Sequence, residues 1–368
     1  MTQNSPDYAG HIEADERLSL GEGNTPLVRS RRIGPAIGLN NLYFKLESLN
    51  PTGSYKDRFA AAAVTEMLAK GDRRVVGSSS GNAGAAVAAY CAAAGIACQI
   101  AVVSDAPDGK LKQMLAYGAQ LWKIHDFGFD PQITHDVMTH LTHLGQRPGT
   151  RLQITAYCHS AVGMAGVEQI SHELAEQIPR GRIEHLFACA GGGGLILALA
   201  KGFESLIQSA ALQKGPRVHC VQPIGNDTIA GPLRAGKTRA QPCARSTTRI
   251  TGLQVPNLLD GQAALEACQR SQGLGYLVSD ETIYELQARL AQEEGIFCEP
   301  AGATPLAGAL QAVQRGEIDP DETVVCLITG AGFKDPAAID RIIADQHCPR
   351  VSFEEFRELT TSPPSNST

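Results

Sequence analysis

The chain has 368 residues, of which 43% are hydrophobic and 19% are charged. This composition is typical of a folded globular protein and excludes an intrinsically disordered chain. The length predicts two domains of ordinary size, or one large α/β unit with an inserted lobe. The formal net charge of −6 argues against a basic nucleic-acid-binding surface, although it is compatible with a locally positive site for a small anion.

The sequence lacks the features of secretion and membrane insertion. The first twenty residues have no basic stretch followed by an apolar one, and the most apolar run, residues 186–200, is too short and glycine-rich to span a membrane. The ten cysteines are scattered without a C-x-x-C pair. We therefore expect a cytoplasmic protein with reduced thiols and no metal site, and neither nucleic acid nor membrane as a partner.

Short apolar runs alternate with longer helical patterns, which predicts a mostly parallel sheet covered by helices on both faces. The predicted strands, in chain order, are residues 42–47, 74–79, 98–104, 120–124, 151–156, 185–190, 217–222 and 323–329. The predicted helices are about residues 56–70, 82–94, 109–117, 130–144, 163–178, 193–209, 281–294 and 303–315. Residues 352–368, which end in TTSPPSNST, are predicted to be a disordered or loosely attached tail.

Three glycine-rich turns each follow a predicted strand. They are SSSGNAGA at residues 78–85, AGGGGLI at residues 190–196 and TGAGFKD at residues 329–335. In a parallel sheet such turns lie at the carboxyl ends of the strands, where ligands bind. We therefore expect the three turns to converge on one cleft.

The second of these turns has the composition of a phosphate cradle. Gly191 to Gly194 present four backbone N–H groups just before a predicted helix, so that amide donors and the helix dipole can hold a phosphate. Neither a Walker A loop nor a G-x-G-x-x-G motif is complete, so a nucleotide is the weaker ligand. The alternative interpretation is close packing of helix against strand, which also tolerates glycine.

Lys56 lies in NPTGSYKDR, residues 50–58, where a Pro-Thr-Gly-Ser turn leads into an alanine-rich helix. Ser54 is the predicted N-cap of this helix and Gly71 its C-terminal stop. A partly desolvated lysine at the positive end of a helix loses its proton more readily, as imine chemistry requires. Together with a phosphate cradle in an α/β sheet, such a lysine indicates pyridoxal phosphate.

Five motifs resemble those of the fold-type II pyridoxal-phosphate enzymes, a group that includes threonine synthase, serine/threonine dehydratases and the tryptophan synthase β subunit. They are NPTGSYKDR, SSSGNAGAAVAAYCAAAGI, the four-glycine loop, GIFCEPAGA and TGAGFKDP, in the order found in that family. The likeness extends over about residues 20–340. GEGNTPL at residues 21–27, the Lys-Asp-Arg triplet and the KDP ending are most similar to threonine synthase.

The resemblance implies a two-domain α/β fold of the tryptophan synthase β type, with mostly parallel sheets covered by helices and the cofactor in the cleft between the domains. The implied large, cofactor-phosphate-binding domain comprises residues 1–50 and 157–350, and the smaller domain comprises residues 51–156. Residues 351–368 would form a flexible tail. A homodimer and a small amino-acid substrate are implied as well.

The resemblance also implies a role for each motif residue. Lys56 would form the Schiff base with pyridoxal 5′-phosphate and then serve as the catalytic base. Asn82 would bond the pyridoxal 3′-oxygen, Gly191, Gly192, Gly193 and Gly194 the cofactor phosphate, and the neutral Thr329 hydroxyl the pyridine nitrogen. Ser79, Ser80, Gly81 and the Ala83 amide would receive the substrate carboxylate.

Neighbouring polar residues are given structural interpretations. Asp57 and Arg58 are interpreted as a helix-capping charge and an ion-pairing residue, and Glu299 as a loop carboxylate without a catalytic part. His159 is a candidate for the cleft entrance.

The resemblance to threonine synthase is incomplete at the second phosphate site, which holds the leaving group of phosphohomoserine. Ala83 stands where the family has a threonine, Tyr157 and Cys158 stand near an Asn-Ser pair, and Gly163 stands in the place of an arginine. Small apolar groups cannot replace an arginine fork. Phosphohomoserine should therefore bind poorly unless Lys110, Lys112 or Arg151 supplies the charge, and we predict that a free or O-acylated amino acid is preferred.

Three functions remain open at this point. A threonine synthase or a close paralogue would expel a γ leaving group and add water, by way of aldimine, quinonoid and enamine intermediates. A serine/threonine dehydratase, or a synthase that uses O-activated serine, would act at Cβ. A non-catalytic protein of the same fold is the third reading. The first two share every cofactor residue, so the cofactor motifs do not separate them.

Overall fold

The computed structural model describes residues 17–178 and 182–361, whose strands form two separate sheets. The strands are β1 (Leu27–Arg29), β2 (Asn41–Lys45), β3 (Arg74–Ser78), β4 (Ala97–Val102), β5 (Gln120–Lys123), β6 (Thr150–Leu152), β7 (His185–Cys189), β8 (Arg217–Pro223), β9 (Gly275–Val278) and β10 (Thr323–Leu327). One sheet has the order β1-β2-β10-β7-β8-β9 and the other the order β5-β4-β3-β6. Neighbouring strands are parallel except β1 and β2.

Helices connect these strands throughout the described residues. They are α1 (Ile33–Ala36), α2 (Lys56–Ala69), α3 (Asn82–Ala94), α4 (Asp108–Ala116), α5 (Pro131–Gly145), α6 (Ala161–Gln177), α7 (Gly194–Gln208), α8 (Ala230–Arg234), α9 (Gly261–Arg270), α10 (Asp280–Glu294), α11 (Pro300–Gln314), α12 (Pro336–Ile342) and α13 (Phe353–Thr361). The predicted fold class, an α/β protein with mostly parallel sheets and intervening helices, is confirmed.

All eight predicted strands and all eight predicted helices are present, with shifts of at most four residues at their ends, the largest at the end of β6. Strand β7 shows why short apolar runs predict the strands of this fold. All five of its residues are buried, and it lies between β8 and β10 in parallel register, with Leu186 opposite both Val218 and Val325. A parallel strand covered on both faces is apolar throughout rather than alternating.

The elements that sequence analysis missed are mostly short. Strand β1 has three residues at an edge of the larger sheet, and β9 has four at the opposite edge. Helix α13 corrects the predicted disorder over its own residues, but none of its residues is buried. Residues 362–368 of the predicted tail lie outside the described residues.

The four strands β3 to β6 make up the smaller sheet, and the remaining strands make up the larger one. The predicted domain boundaries near residues 50 and 157 stay predictions, and residues 1–16 of the implied large domain lie outside the described residues.

Helix α2 begins at Lys56, with Tyr55 as its cap residue, rather than directly after Ser54 as predicted. Ser54 instead forms an isolated bridge with Gly330, and its hydroxyl oxygen accepts only a long hydrogen bond, 3.4 Å, from the Lys56 amide. The predicted stop is confirmed, because Gly71 has a φ of +71° directly after the helix. The start of α2 is therefore tied to the turn that follows β10.

Helix α2 is also held closely against α6. The alanines Ala60 to Ala63 are buried, and a Cβ atom at Gly166 of α6 would lie 2.3 Å from the Arg58 carbonyl oxygen. Glycine at this position allows the two backbones to approach, which any larger residue would prevent. This packing fixes the direction in which Lys56 leaves the helix.

Candidate active site

A cavity of about 520 Å³ lies where the three glycine-rich turns meet. Its lining includes residues 79–83 after β3, residues 191–194 after β7, Thr329 after β10, and Lys56 at the start of α2. The prediction that the three turns converge is therefore confirmed. Each residue that sequence analysis assigned to the cofactor or to the substrate lines this cavity, although the roles themselves remain proposals.

Lys56 directs its amine into this cavity. Its Nζ atom donates to the Thr155 hydroxyl at 2.9 Å and lies 4.5 Å from the centre of the Tyr55 ring. Desolvation lowers the pKa of Lys56 to about 8, and the nearby acidic groups, among them the Glu299 and Asp260 carboxylates, oppose this shift only in part. A substantial fraction of the amine is therefore neutral near pH 8, which a nucleophilic lysine requires.

The four-glycine loop fits a phosphate. Gly194 begins α7, a helix of fifteen residues, and Gly193 has a φ of +96° that a residue with a side chain rarely adopts. Cβ atoms at Gly191 and Gly192 would lie 2.9 Å from Val255 and 3.0 Å from Leu259, two residues that also line the cavity. Glycine therefore lets the loop pack closely against these side chains while its backbone lines the cavity at the positive end of a helix.

Asn82 and Glu299 form a hydrogen-bonded pair inside the cavity. The Asn82 side-chain amide donates to the Glu299 carboxylate at 2.8 Å. Burial raises the pKa of Glu299 to about 7, although Lys110, Lys334 and this hydrogen bond act in the opposite direction. Glu299, interpreted from the sequence as a loop carboxylate, thus lies in the cavity and holds the orientation of Asn82.

The turn after β3 is organised by its own serine. The Ser79 hydroxyl oxygen accepts hydrogen bonds from the Gly84 amide at 2.9 Å and the Gly81 amide at 3.3 Å. This arrangement leaves the start of α3 facing the cavity, where the helix dipole favours an anion.

Thr329 lies beside a thiol that sequence analysis did not single out. The Cys189 Sγ atom is 4.0 Å from the Thr329 hydroxyl oxygen, and burial raises the pKa of Cys189 to about 12. The thiol is therefore neutral at physiological pH, and so is the Thr329 hydroxyl beside it. A neutral group thus faces the place that the resemblance assigns to the pyridine nitrogen.

Asp57 and Arg58, which follow Lys56 in sequence, are not among the residues that line the cavity. Arg58 forms ion pairs as predicted, whereas Asp57 binds the turn before α2 instead of capping the helix. The Asp57 carboxylate accepts hydrogen bonds from the Thr52 amide at 3.1 Å and the Thr52 hydroxyl at 2.8 Å. Arg58 is paired with Glu47 and Glu173. His159 is exposed and is not among the residues that line the cavity.

The structure separates the residues that sequence analysis considered for a second phosphate site. Gly163 faces α2, because a Cβ atom there would lie 2.6 Å from the Phe59 ring. Arg151 is paired with Asp72, and Lys112 is exposed outside the cavity lining. Ala83 and Lys110, in contrast, line the cavity. Gly163 therefore does not contact a substrate in the cavity, whereas Lys110 is placed where it can do so.

Sequence analysis missed several residues of the cavity wall. Tyr55 lies within the NPTGSYKDR motif, and Thr155 and Cys189 lie within predicted strands, but nothing local marks them as wall residues. Lys334 lies within the TGAGFKD turn, and that position was the one available signal for it.

The sequence model of the family described as "Pyridoxal-phosphate dependent enzyme" matches residues 18–330 of this chain. The chain belongs to this family. Pyridoxal phosphate is therefore its cofactor, and the site fits that group, with an amine of lowered pKa at one side of the cavity and a glycine cradle at a helix start.

The chain is also similar to several threonine synthases. It is 32% identical to that of Methanocaldococcus jannaschii over 336 residues, which cover 91% of this chain and 81% of the relative. It is 33% identical to that of Mycobacterium tuberculosis over 322 residues, covering 87% and 84%, respectively. These similarities confirm the predicted class, a pyridoxal-phosphate-dependent lyase of the threonine synthase-like type that acts in amino-acid metabolism.

Solved structures support the fold. Threonine deaminase isoform 2 from Solanum lycopersicum superposes with a TM-score of 0.69 at 21% identity, covering 92% of this chain and 82% of that one. Serine racemase from Dictyostelium discoideum superposes with a TM-score of 0.67 at 26% identity, covering 84% and 92%. Both resemble this chain in having a fold-type II architecture.

Two further features concern only the described residues. None of their helices is both long and apolar enough to cross a membrane. Their His, Cys, Asp and Glu side chains include no group of three or more that could hold a metal ion.

Proposed function

We propose that this protein catalyses elimination and replacement at the side chain of a small L-amino acid, in the manner of threonine synthase. In the full reaction, O-phosphohomoserine and water would give threonine and inorganic phosphate. One observation carries the proposal. A lysine whose pKa is lowered to about 8 lies in the glycine-lined cavity of a chain that is about one-third identical to threonine synthases over most of its length.

Each residue of the cavity has a proposed task. Gly191 to Gly194 would bind the cofactor phosphate through their amides, and Lys56 would hold the cofactor as a Schiff base. Bound pyridoxal phosphate supplies an electron sink for charge that develops at the substrate Cα. Asn82, oriented by Glu299, and the neutral Thr329 hydroxyl would fix the orientation of the cofactor ring.

The substrate would bind between the turn after β3 and Lys56. Ser79, Ser80, Gly81 and the Ala83 amide would receive its carboxylate at the start of α3. The Lys56 amine, once released from the cofactor, would move protons at the substrate Cα and at the carbon beyond it. Its lowered pKa suits this task, because a general base works best when its pKa is near the operating pH.

A second candidate function is a serine/threonine dehydratase, or a synthase that uses O-activated serine. The observation that favours it is Ala83, which lines the cavity without offering a hydroxyl, together with the lack of an arginine among the described residues of the cavity wall. A neutral leaving group at Cβ would need no cation there. A binding protein without activity is the third candidate, and the desolvated amine of Lys56 argues against it.

The experiment that separates these functions is a side-by-side assay of four substrates with the purified holoenzyme: O-phosphohomoserine, L-threonine, L-serine and O-acetyl-L-serine. Phosphate, 2-oxo acid and new amino acid are each measured. Threonine formed together with equimolar phosphate supports the threonine synthase reaction. Formation of only a 2-oxo acid from threonine or serine would replace it by the dehydratase, and no turnover at all would favour the binding protein.

The same proposal includes a homodimer in the cytoplasm. The family resemblance supports the homodimer. The ten free cysteines, seven of them buried, suit a reducing compartment. Light scattering after size-exclusion chromatography measures the assembly directly.

A further inference from the structure

Two lysines in the cavity wall have no task in the proposed binding of cofactor or substrate carboxylate. Lys110 lies in the first turn of α4, and Lys334 lies in the turn that follows β10. They approach the cavity from the smaller and the larger sheet, respectively.

Two contacts between α4 and the turn after β10 bring these lysines together. The Lys110 amine lies 3.4 Å from the Asp335 carboxylate, and the Lys334 amine donates to the Gln113 side-chain oxygen at 2.6 Å. Gln113 follows Lys110 by about one turn of α4, and Asp335 directly follows Lys334. The two amines therefore lie on the same side of the cavity, and both side chains are largely shielded from solvent.

The negative groups nearby do not occupy both lysines. Asp335 also accepts hydrogen bonds from the Thr251 hydroxyl and the Ala338 amide, so its 3.4 Å contact with Lys110 is loose. Gln113 is neutral, so the Lys334 amine has no carboxylate among its hydrogen-bond partners, although the Glu299 and Asp57 carboxylates act on its charge from a greater distance. Glu299 and Asp105 also line the cavity, and Glu299 has a pKa raised to about 7, which reduces its negative charge near neutral pH.

We propose that Lys110 and Lys334 together form a binding subsite for an anionic substituent on the substrate side chain, such as a phosphate ester. This inference rests on the proposed function. It places the cations for the leaving group on α4 and on the turn after β10, instead of on the segment that contains Tyr157, Cys158 and Gly163. A dianionic group that must be desolvated needs cations close by, and lysine binds phosphate as a point charge.

The subsite would also act on the departing group. When the Lys56 amine takes a proton from Cβ, the C–H electron pair forms a double bond between Cβ and Cγ as the Cγ–O bond breaks. The electron pair of the Cγ–O bond leaves with the phosphate oxygen, and two ammonium groups stabilise the charge that accumulates there. Both lysines would then contribute to turnover as well as to binding.

The test measures the binding of two ligands to the holoenzyme by calorimetry in phosphate-free buffer. One ligand is 2-amino-5-phosphonopentanoate, in which a methylene group replaces the ester oxygen of O-phosphohomoserine. The other is 2-aminopentanoate, which has the same carbon chain without the phosphonate. The variants are Lys110→Gln and Lys334→Gln, with Lys110→Arg as the conservative change.

The matched control is Lys112→Gln, which removes the same charge from the same helix at an exposed position outside the cavity wall. We expect Lys110→Gln and Lys334→Gln each to weaken phosphonate binding by about 10- to 100-fold, because each loses a hydrogen bond to a charged group. Binding of 2-aminopentanoate should not change. Lys110→Arg should retain most of the phosphonate affinity, and Lys112→Gln all of it.

Phosphonate affinity that is unchanged in both glutamine variants overturns the subsite, and so does an equal loss for both ligands. If the wild-type enzyme nevertheless releases phosphate and forms threonine in the four-substrate assay, the proposed function stands and only the subsite is wrong. If the wild-type enzyme forms only 2-oxo acids and does not prefer the phosphonate over 2-aminopentanoate, both proposals fail. Thermal unfolding of each variant shows whether it is folded, and the two lysines can be tested independently.

Discussion

Lys56 and Arg58 lie two residues apart in the first turn of α2, yet their electrostatic surroundings are opposite. Arg58 is 3% exposed and donates to both Glu47 and Glu173, with four N···O distances between 2.6 and 2.8 Å. Burial alone would lower the pKa of Arg58, but the two carboxylates raise it above the ordinary value. Lys56 faces a cavity, and its amine donates only to the neutral Thr155 hydroxyl.

The difference shows how one turn of helix supplies both a structural cation and a reactive amine. Desolvation acts on both side chains, but only Arg58 has carboxylates in contact to hold its proton. An unpaired buried cation shifts towards its neutral form, whereas a paired one stays charged and links the elements around it. Arg58 connects α2 to Glu47 after β2 and to Glu173 of α6, and so fixes the helix that carries Lys56.

The largest effect should come from Lys56→Ala. We expect turnover of whichever substrate the wild-type enzyme uses to fall by at least about 10²- to 10⁴-fold, because a general base is removed. The variant should also lose the visible absorbance of the bound cofactor during dialysis, since the covalent attachment is gone. Both quantities can be measured on the same preparation.

Lys70→Ala is the matched control, because Lys70 stands at the other end of the same helix, where its side chain is half exposed. It should behave like the wild-type enzyme in both measurements. Cofactor absorbance that survives dialysis in Lys56→Ala would contradict the assignment of the Schiff base to Lys56.

The next effect concerns stability. Arg58→Met leaves the Glu47 and Glu173 carboxylates facing an apolar side chain, and we expect the free energy of unfolding to fall by about 3–5 kcal/mol. Arg270→Met is the control, because the ion pair of Arg270 with Glu204 is largely exposed and should contribute at most about 1 kcal/mol. Urea denaturation of the cofactor-free variants measures both changes. Similar losses in the two variants would show that burial of the Arg58 pair has no special effect.

The contrast between these two cations also shows how far the sequence predicts the structure. The strand, turn and helix around Gly191 to Gly194 follow a local pattern of apolar residues and glycine, so β7 and α7 are predicted nearly in full. The partners of Arg58 are 11 and 115 residues away, and no periodicity reports them. Strand β9 begins with glycine and has only four residues, too few for an alternating pattern to stand out.

Prediction of the candidate site has the same limit. Lys56, Asn82 and Thr329 stand at the ends of predicted elements and are recognisable through their motifs. Lys110 and Glu299 enter the cavity only because α4 and the turn before α11 pack against it, which is a property of the tertiary fold. Cavity residues that are brought in by tertiary packing are therefore predicted less well than those in the glycine-rich turns.

The smallest effect concerns the titration of the Lys56 amine, which should occur at a lower pH than that of an ordinary lysine. Because the neutral amine is the nucleophile, brief acetylation of the cofactor-free protein should label Lys56 at a rate that rises with pH and is half-maximal near pH 8, whereas an unperturbed lysine titrates near about 10.4. Mass spectrometry of the peptide that contains Lys56 gives this rate. Glu299→Gln should move the midpoint further down, since the Glu299 charge raises the pKa of Lys56. A midpoint near 10 in the wild-type protein would mean that solvent in the cavity hydrates the amine fully, and the contrast with Arg58 would then rest on pairing alone.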